Sequence, residues 1–295
     1  MKVCVLGDGL ASLSLAKMLV NKSISVDLLL DDKSIDYSNS RTFGITKKNY
    51  EFFNKKILNI EKISWKLNNI EIYTENLSNE KVLEFKKSNS EIFSIIRNYK
   101  LYKNLYKNLK NNKFFKKKIV QNNDISFVDK YDLIINCNKN HLLTKKFFSK
   151  KIEKRYNCTA HIAIIKHKKI INNSAVQIFT KIGPIAFLPI SNSETSIVYS
   201  ITNKNVVNLE NLINQYNTKY SVLKILDKKL FEIETSNLKN YYYKNILCFG
   251  DLIHQFFDKE RKYNGKFLSQ SLKFIGKNSY FNKLFSKIAD EGLSL

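Results

Sequence analysis

Gly7, Gly9 and Ser12 follow the apolar run Met1-Lys2-Val3-Cys4-Val5-Leu6 and precede a helix-periodic stretch over 13–20. A strand that ends in a tight glycine turn and feeds a helix sets backbone N–H groups and the positive end of the helix dipole against a phosphate. Gly9 lets the backbone come close to that anion, and Leu10, Ala11 and Ser12 lie where the first-turn amides would hold it. Ser12 replaces the third glycine of the dinucleotide fingerprint. A second apolar run, 25–30, ends in Asp31-Asp32, near the ~20-residue distance at which a carboxylate takes ribose hydroxyls. Asp31 or Asp32 is then the ribose ligand, and the start of the chain reads as a nucleotide-binding βαβ unit.

Other chemistries find little support. The four histidines and four cysteines show no metal-ligand spacing, and no Ser-His-Asp or Cys-His constellation stands out. Cys4, Cys137, Cys158 and Cys248 are widely spaced, three of them in apolar strand-like runs, which reads as reduced core thiols of a cytosolic protein. No signal peptide and no ~18-residue apolar run is present, so a chain neither secreted nor membrane-spanning is expected. The net charge of +24 invites a nucleic-acid partner, but lysine is spread along the chain beside abundant asparagine, isoleucine and tyrosine, as A+T-rich codons produce. No nucleic-acid partner is expected. Denser lysine runs at 103–118 and 145–154 suit contact with anionic lipid.

The elements that must position the turn can be read along the chain. A polar loop over 38–45 precedes a helix over 47–58, and 70–74 and 82–85 alternate as half-exposed strands. Leu101, Leu105 and Leu109 mark one face of a helix. Short strands are expected at 125–127 and 132–137, the latter buried and parallel. Strands follow at 159–165, 175–179, 185–188 and 195–200, then helices at 209–216 and 219–229, then a buried strand at 245–249 ending in Gly250-Asp251. The expected fold class is α/β: a discontinuous Rossmann-like domain (1–65, 92–150 and 240–295) interleaved with an antiparallel β-sheet domain (66–91 and 151–239). With 295 residues the chain can bury two such cores.

This order of landmarks resembles the FAD-dependent hydroxylases of ubiquinone biosynthesis, within the p-hydroxybenzoate-hydroxylase-like flavoprotein monooxygenases, over most of the chain. Arg41 sits where that family has an arginine after the second strand, and Ile95-Ile96-Arg97-Asn98 with Leu101 is similar to its helix start. The most specific match runs from Tyr156 through Ala160, His167, Ala175, Gln177 and Phe179 to Gly183-Pro184, Ala186 and Leu188-Pro189, a "GPxAxLP" segment holding both prolines of the chain. Gly250-Asp251-Leu252-Ile253-His254 is similar to the family's "GDAAH" motif.

The resemblance implies FAD, with NADPH or a redox partner as electron donor, and hydroxylation of a polyprenylated phenol through a flavin C4a-hydroperoxide. It implies FAD contacts at Gly7, Gly9, Leu10, Ala11, Ser12, Asp31 or Asp32, Arg41, Asn98, Gly250 and Asp251, and a substrate pocket at Gly183, Pro184, Phe187, Leu188 and Pro189. His254 is a candidate for proton transfer, more simply a loop-fixing residue. Work beside an anionic membrane face and contact with other ubiquinone-synthesis proteins are implied as well. Two departures stand out. The family's "ADG" turn is Cys137-Asn138-Lys139 here, and its glycine-rich "PxxGQGxN" loop is the charged stretch 258–266. They also admit a non-catalytic descendant serving as a partner in a quinone-synthesis assembly.

Overall fold

The computed structural model describes residues 2–30, 41–78, 80–86, 91–121, 124–202 and 208–250. The chain begins with β1 (Lys2–Leu6), α1 (Leu10–Val20) and β2 (Ser25–Leu30). Val3, Cys4 and Val5 are fully buried, as a strand covered on both faces requires. β3 (Thr42–Thr46) leads into α2 (Lys47–Lys56), whose N-terminus is capped by the Thr46 hydroxyl accepting from the Asn49 amide. Next come β4 (Ser64–Leu67), β5 (Asn69–Thr74), β6 (Glu80–Lys86) and β7 (Phe93–Arg97), then α3 (Asn98–Leu109), which turns Leu101, Leu105 and Leu109 inward. β8 (Phe115–Ile119), β9 (Leu133–Asn136) and α4 (Leu142–Phe147) return the chain to the first layer. β11 (Ser174–Thr180), β12 (Gly183–Pro189) and β13 (Glu194–Thr202) form a meander, β10 (Lys151–His167) lies beside β13, and α5 (Leu209–Tyr216) packs on this sheet. β14 (Val222–Leu238), β15 (Tyr242–Tyr243) and β16 (Ile246–Cys248) follow.

These strands build three sheets. The first has the order β15-β16-β9-β1-β2-β8 and is parallel except for β15. The second, β14-β10-β13-β12-β11-β5-β6, is antiparallel except where β5 and β11 run parallel. The third, β3-β7-β4, is small and antiparallel. One core lies between the parallel sheet and α1, α2 and α3, and another on its opposite face around Leu143, Phe127 and Tyr131. The second sheet packs Ile197, Tyr199 and Phe187 against Ile213 and Tyr216 of α5. A fourth cluster joins Leu67 and Ile95 of the small sheet to Ala175 and Leu188 of the large one.

The α/β class and most elements agree with the sequence pattern; four segments differ. Residues 222–229, which read as helix, belong to β14. Val222, Ile225, Leu226 and Lys229 mimic helical spacing, but β10 is 17 residues long and needs a partner on each edge for its backbone groups. A register shift opposite Ile162 and Ile164, with Asp227 at φ 52°, absorbs the irregular pattern. Residues 125–127 are a turn rather than a strand, because the Asp124 carboxylate accepts from the Ser126 amide while Phe127 is buried. Thr42–Thr46, read as loop, pairs with β7. The lysine-rich 115–119 is the strand β8, edge partner of β2, a place where lysine discourages further pairing.

Candidate functional site at the ends of the parallel strands

The ladder of the parallel sheet continues past the C-terminal ends of its strands. The Gly7 amide donates to Leu29 O at 2.9 Å, the Cys137 amide to Leu6 O at 2.8 Å, and the Phe249 amide to Asn136 O at 2.9 Å. Three turns therefore emerge side by side: 7–9, 137–138 and the one at Gly250. Gly7 has φ 123°, and a β-carbon there would meet Ser12 Oγ at 3.0 Å and the Cys137 carbonyl carbon at 3.4 Å. Gly250, at φ 71°, comes so near the helix that a β-carbon would lie 2.9 Å from Ala11 Cβ. Sequence positions 7, 11, 12 and 250 are thus brought together.

Beyond Asp8, the turn leads into a helix start that offers backbone donors. Among the described residues, α1 starts from Gly9 with no side-chain cap and no acidic residue in its first turn, and nothing lies within 4 Å of where a Gly9 β-carbon would stand. The Ser12 hydroxyl is fully buried and, among the described residues, has no hydrogen-bond partner. Uncapped amides facing open space fit a diphosphate, as the sequence spacing implies.

The turn after β9 is closed on itself. Asn136 Nδ2 donates to Thr144 Oγ1 at 2.8 Å, Thr144 Oγ1 donates to Asn138 O at 2.7 Å, and the Asn138 amide donates to Asn136 Oδ1 at 3.0 Å. Asn136 and Thr144 escaped the sequence reading; an asparagine closing the otherwise apolar strand 133–136 was the available signal.

Arg41 and Asn98 meet through their backbones, the Asn98 amide donating to Arg41 O at 2.9 Å. The exposed Arg41 guanidinium lies 5.8 Å from the centroid of Phe231 on β14. Arg97, the residue before Asn98, ends β7 and binds Glu194 Oε2 at 2.5 Å, with its side chain 13% exposed. The Thr42 and Ser196 hydroxyls hydrogen-bond at 2.9 Å. Together these two contacts fasten the small sheet to β13, and Glu194 and Ser196 carried no signal in the sequence.

The segment 183–189 is the strand β12, and alternation divides it. Gly183 is glycine because a β-carbon would fall 1.8 Å from Ser200 O of the neighbouring strand. Phe187 is 2% exposed and packs 6.0 Å from Tyr220 under α5. Leu188 faces the other way, against the cluster of Trp65, Phe93 and Ile95. Phe187 and Leu188 therefore line opposite faces, and the Leu188 face, shared in register by Pro184 and Ala186, is the one turned to the small sheet. Pro184 and Pro189 occupy the second and last positions of β12, where a missing donor costs least. Asp31, Asp32, Asp251, His254 and the stretch 258–266 lie outside the described residues.

Two buried thiols lie on the strands that lead into these turns. Burial, with the nearby Cys137 second, pushes the Cys248 thiol up to about 12, and burial raises Cys4 well above the ordinary thiol range. All four cysteines are free, and among the described residues no cluster of His, Cys, Asp and Glu is arranged to hold a metal ion.

Solved structures share this arrangement. PqsL of Pseudomonas aeruginosa, described as a probable FAD-dependent monooxygenase, superposes with a TM-score of 0.67 at 12% identity over 100% of this chain and 88% of that one. The fold is that of the flavoprotein monooxygenases. The p-nitrophenol 4-monooxygenase PnpA of Pseudomonas putida gives 0.65 at 10% identity, over 99% and 81% of the two chains. A mutant of 2-methyl-3-hydroxypyridine-5-carboxylic acid oxygenase gives 0.63 at 13%, over 99% and 83%. No protein-family model matches the sequence, and no curated protein matches it.

Proposed function

We propose that the chain is an FAD-dependent aromatic-ring monooxygenase that hydroxylates a polyprenylated phenol in ubiquinone biosynthesis, in the cytoplasm beside the inner face of the membrane. The observation that carries this reading is the uncapped first turn of α1, opened by Gly9 and flanked by Gly7 and Gly250 at one end of the parallel sheet. In this reading the amides of Leu10, Ala11 and Ser12 hold the FAD diphosphate, Asp31 or Asp32 the adenosine ribose, and Asp251 the ribityl chain. Arg41 balances phosphate charge, and Asn98 keeps the Arg41 backbone in place. The Leu188 face of β12 supplies an apolar wall that keeps water from the reacting ring. When bound, the flavin, reduced by NADPH or a redox partner, supplies the chemistry that moves one atom of O2 into the ring and the other into water.

The self-closed turn at Asn136, Asn138 and Thr144 favours a second reading, a non-catalytic partner in a quinone-synthesis assembly, because its groups are already satisfied without a ligand. Visible absorption of the purified protein, with FAD added if it is colourless, separates the two. About one flavin per chain, followed by NADPH-dependent O2 uptake with a prenylated phenol, supports the enzyme. Failure to take up added FAD overturns it in favour of the partner.

A further inference from the structure

Between Asn98 and Gln121 the chain carries eight lysines and no aspartate or glutamate. The fold gathers most of them on one face. Because Leu101, Leu105 and Leu109 point into the core, Lys100, Lys103, Lys107 and Lys110 stand exposed on the opposite side of α3. β8, the outer edge of the parallel sheet, presents the exposed Lys117 on the α3 side, with Lys117 Nζ 5.4 Å from the centroid of Tyr106, which joins strand and helix into one surface, while Lys116 alternates to the opposite face. Ile119 projects from its rim, 63% exposed. Lys118 is engaged elsewhere, with Asp27 at 2.6 Å.

The second lysine-rich run, 145–154, is divided: Lys145 and Lys146 belong to α4, near the other edge of the same sheet, where Phe147 of α4 stacks on Tyr243 of β15 at 4.5 Å, and the run ends in β10 of the second sheet. The lysines of α3 and those of α4 are therefore on opposite flanks of the parallel sheet, and a flat partner meets one group at a time.

We propose that the α3–β8 face docks on an anionic lipid bilayer. Its charge is of one sign, and Ile119 adds an apolar contact among the ammonium groups. Lysines on β8 also keep an open sheet edge from pairing, but those on α3 guard no edge. A single-stranded nucleic acid fits less well, since bases need open aromatic faces to stack on. Here Tyr99, Tyr106 and Phe114 lie under Lys103, Lys117 and Lys113, at 5.5, 5.4 and 5.2 Å. The proposal does not depend on flavin binding, and its test does not read flavin.

The full chain is floated with phosphatidylcholine vesicles with and without phosphatidylglycerol, at low and high salt. Binding should require the anionic lipid and fall steeply with salt. Replacing Lys103, Lys107 and Lys110 together by Gln should weaken partitioning about 100-fold, since each lysine near the surface counts for about a factor of five. Lys100→Gln with Lys117→Gln should weaken it by a smaller step and carries the test if the triple variant does not fold by circular dichroism. Equal binding to neutral vesicles, loss on changing Lys145 and Lys146 instead, or displacement from vesicles by a single-stranded RNA oligomer would overturn the proposal.

Discussion

Gly250 and Ala11 stand so close that a β-carbon on the glycine would lie 2.9 Å from the alanine methyl. That approach locks the turn after β16 onto the first turn of α1, the two places where the chain's most recognisable motifs sit, although 239 positions separate them along the sequence.

Gly250→Ala forces a methyl into Ala11 at φ 71°. A loss of about 2 kcal/mol in stability is expected, from the strained backbone and the contact together. Urea unfolding monitored by circular dichroism checks it, and an unchanged midpoint would remove the close approach from the argument.

Gly9→Ala meets nothing within 4 Å, so folding should suffer by no more than about 1 kcal/mol. The same methyl occupies the space proposed for the diphosphate. FAD affinity, read by flavin fluorescence quenching, should fall by about tenfold or more, about 1.4 kcal/mol. Unaltered affinity with a folded protein would place the diphosphate elsewhere.

Asp27 is 6% exposed within β2 and accepts hydrogen bonds from Lys118 at 2.6 Å and Tyr131 at 2.8 Å. Burial alone would raise its carboxyl, but those two bonds and the charges of Lys118 and Lys2 outweigh it and hold the group below the usual 3.8. A carboxyl lowered by folding stabilises the protein above its unfolded value and ceases to do so as the pH falls through its folded value. The wild type should therefore lose stability below about pH 4, whereas Asp27→Asn should lack this component of the acid loss and be about 2 kcal/mol less stable at pH 7. Denaturant titrations at pH 7 and pH 3 make the comparison.

Thr195 sits inside a buried chain of hydrogen bonds. His167 Nδ1 donates to Lys168 O at 2.9 Å, which leaves Nε2 to accept from the Thr195 hydroxyl at 3.0 Å, and that hydroxyl accepts from Asn172 Nδ2 at 2.9 Å. Tyr220 OH and Trp65 Nε1 donate to the same asparagine, at 3.1 and 2.7 Å. Thr195→Val strands two partners and should cost about 2 kcal/mol. The single tryptophan of the chain reports it, through a shift of emission on mutation and an earlier unfolding transition.

Glu194→Gln removes the charge that holds the half-buried Arg97 at the junction of the small and large sheets. About 1–2 kcal/mol of stability should go with it. If the junction also shapes the flavin site, FAD affinity falls in parallel; a stability loss alone marks the pair as purely structural.

Much of the arrangement is legible in one dimension because it is local. The apolar run 1–6, the turn at Gly7 and the leucine stripe of α3 each satisfy a short-range rule: a covered strand, a tight turn, a helical period. The α/β class follows from their order. Residues 222–229 misled for the same reason, since apolar spacing near four residues suits a helix, while the free edge of the long strand β10 decided the outcome. Phe187 and Leu188 were grouped by motif, and the pleat of β12 separated them.

By itself the sequence determined the nucleotide-type turn, the alternation of its elements and the concentration of lysine in 98–121, because chain connectivity alone sets neighbours within a few residues. The tertiary structure decided what distant residues do together. It set Gly250 on Ala11, closed Asn138 with Asn136 and Thr144, paired Arg97 with Glu194, and put the lysines of α3 and those of α4 on opposite flanks of the parallel sheet. Such pairings follow from strand order and close packing, which are properties of the whole fold and leave no spacing in the sequence to read.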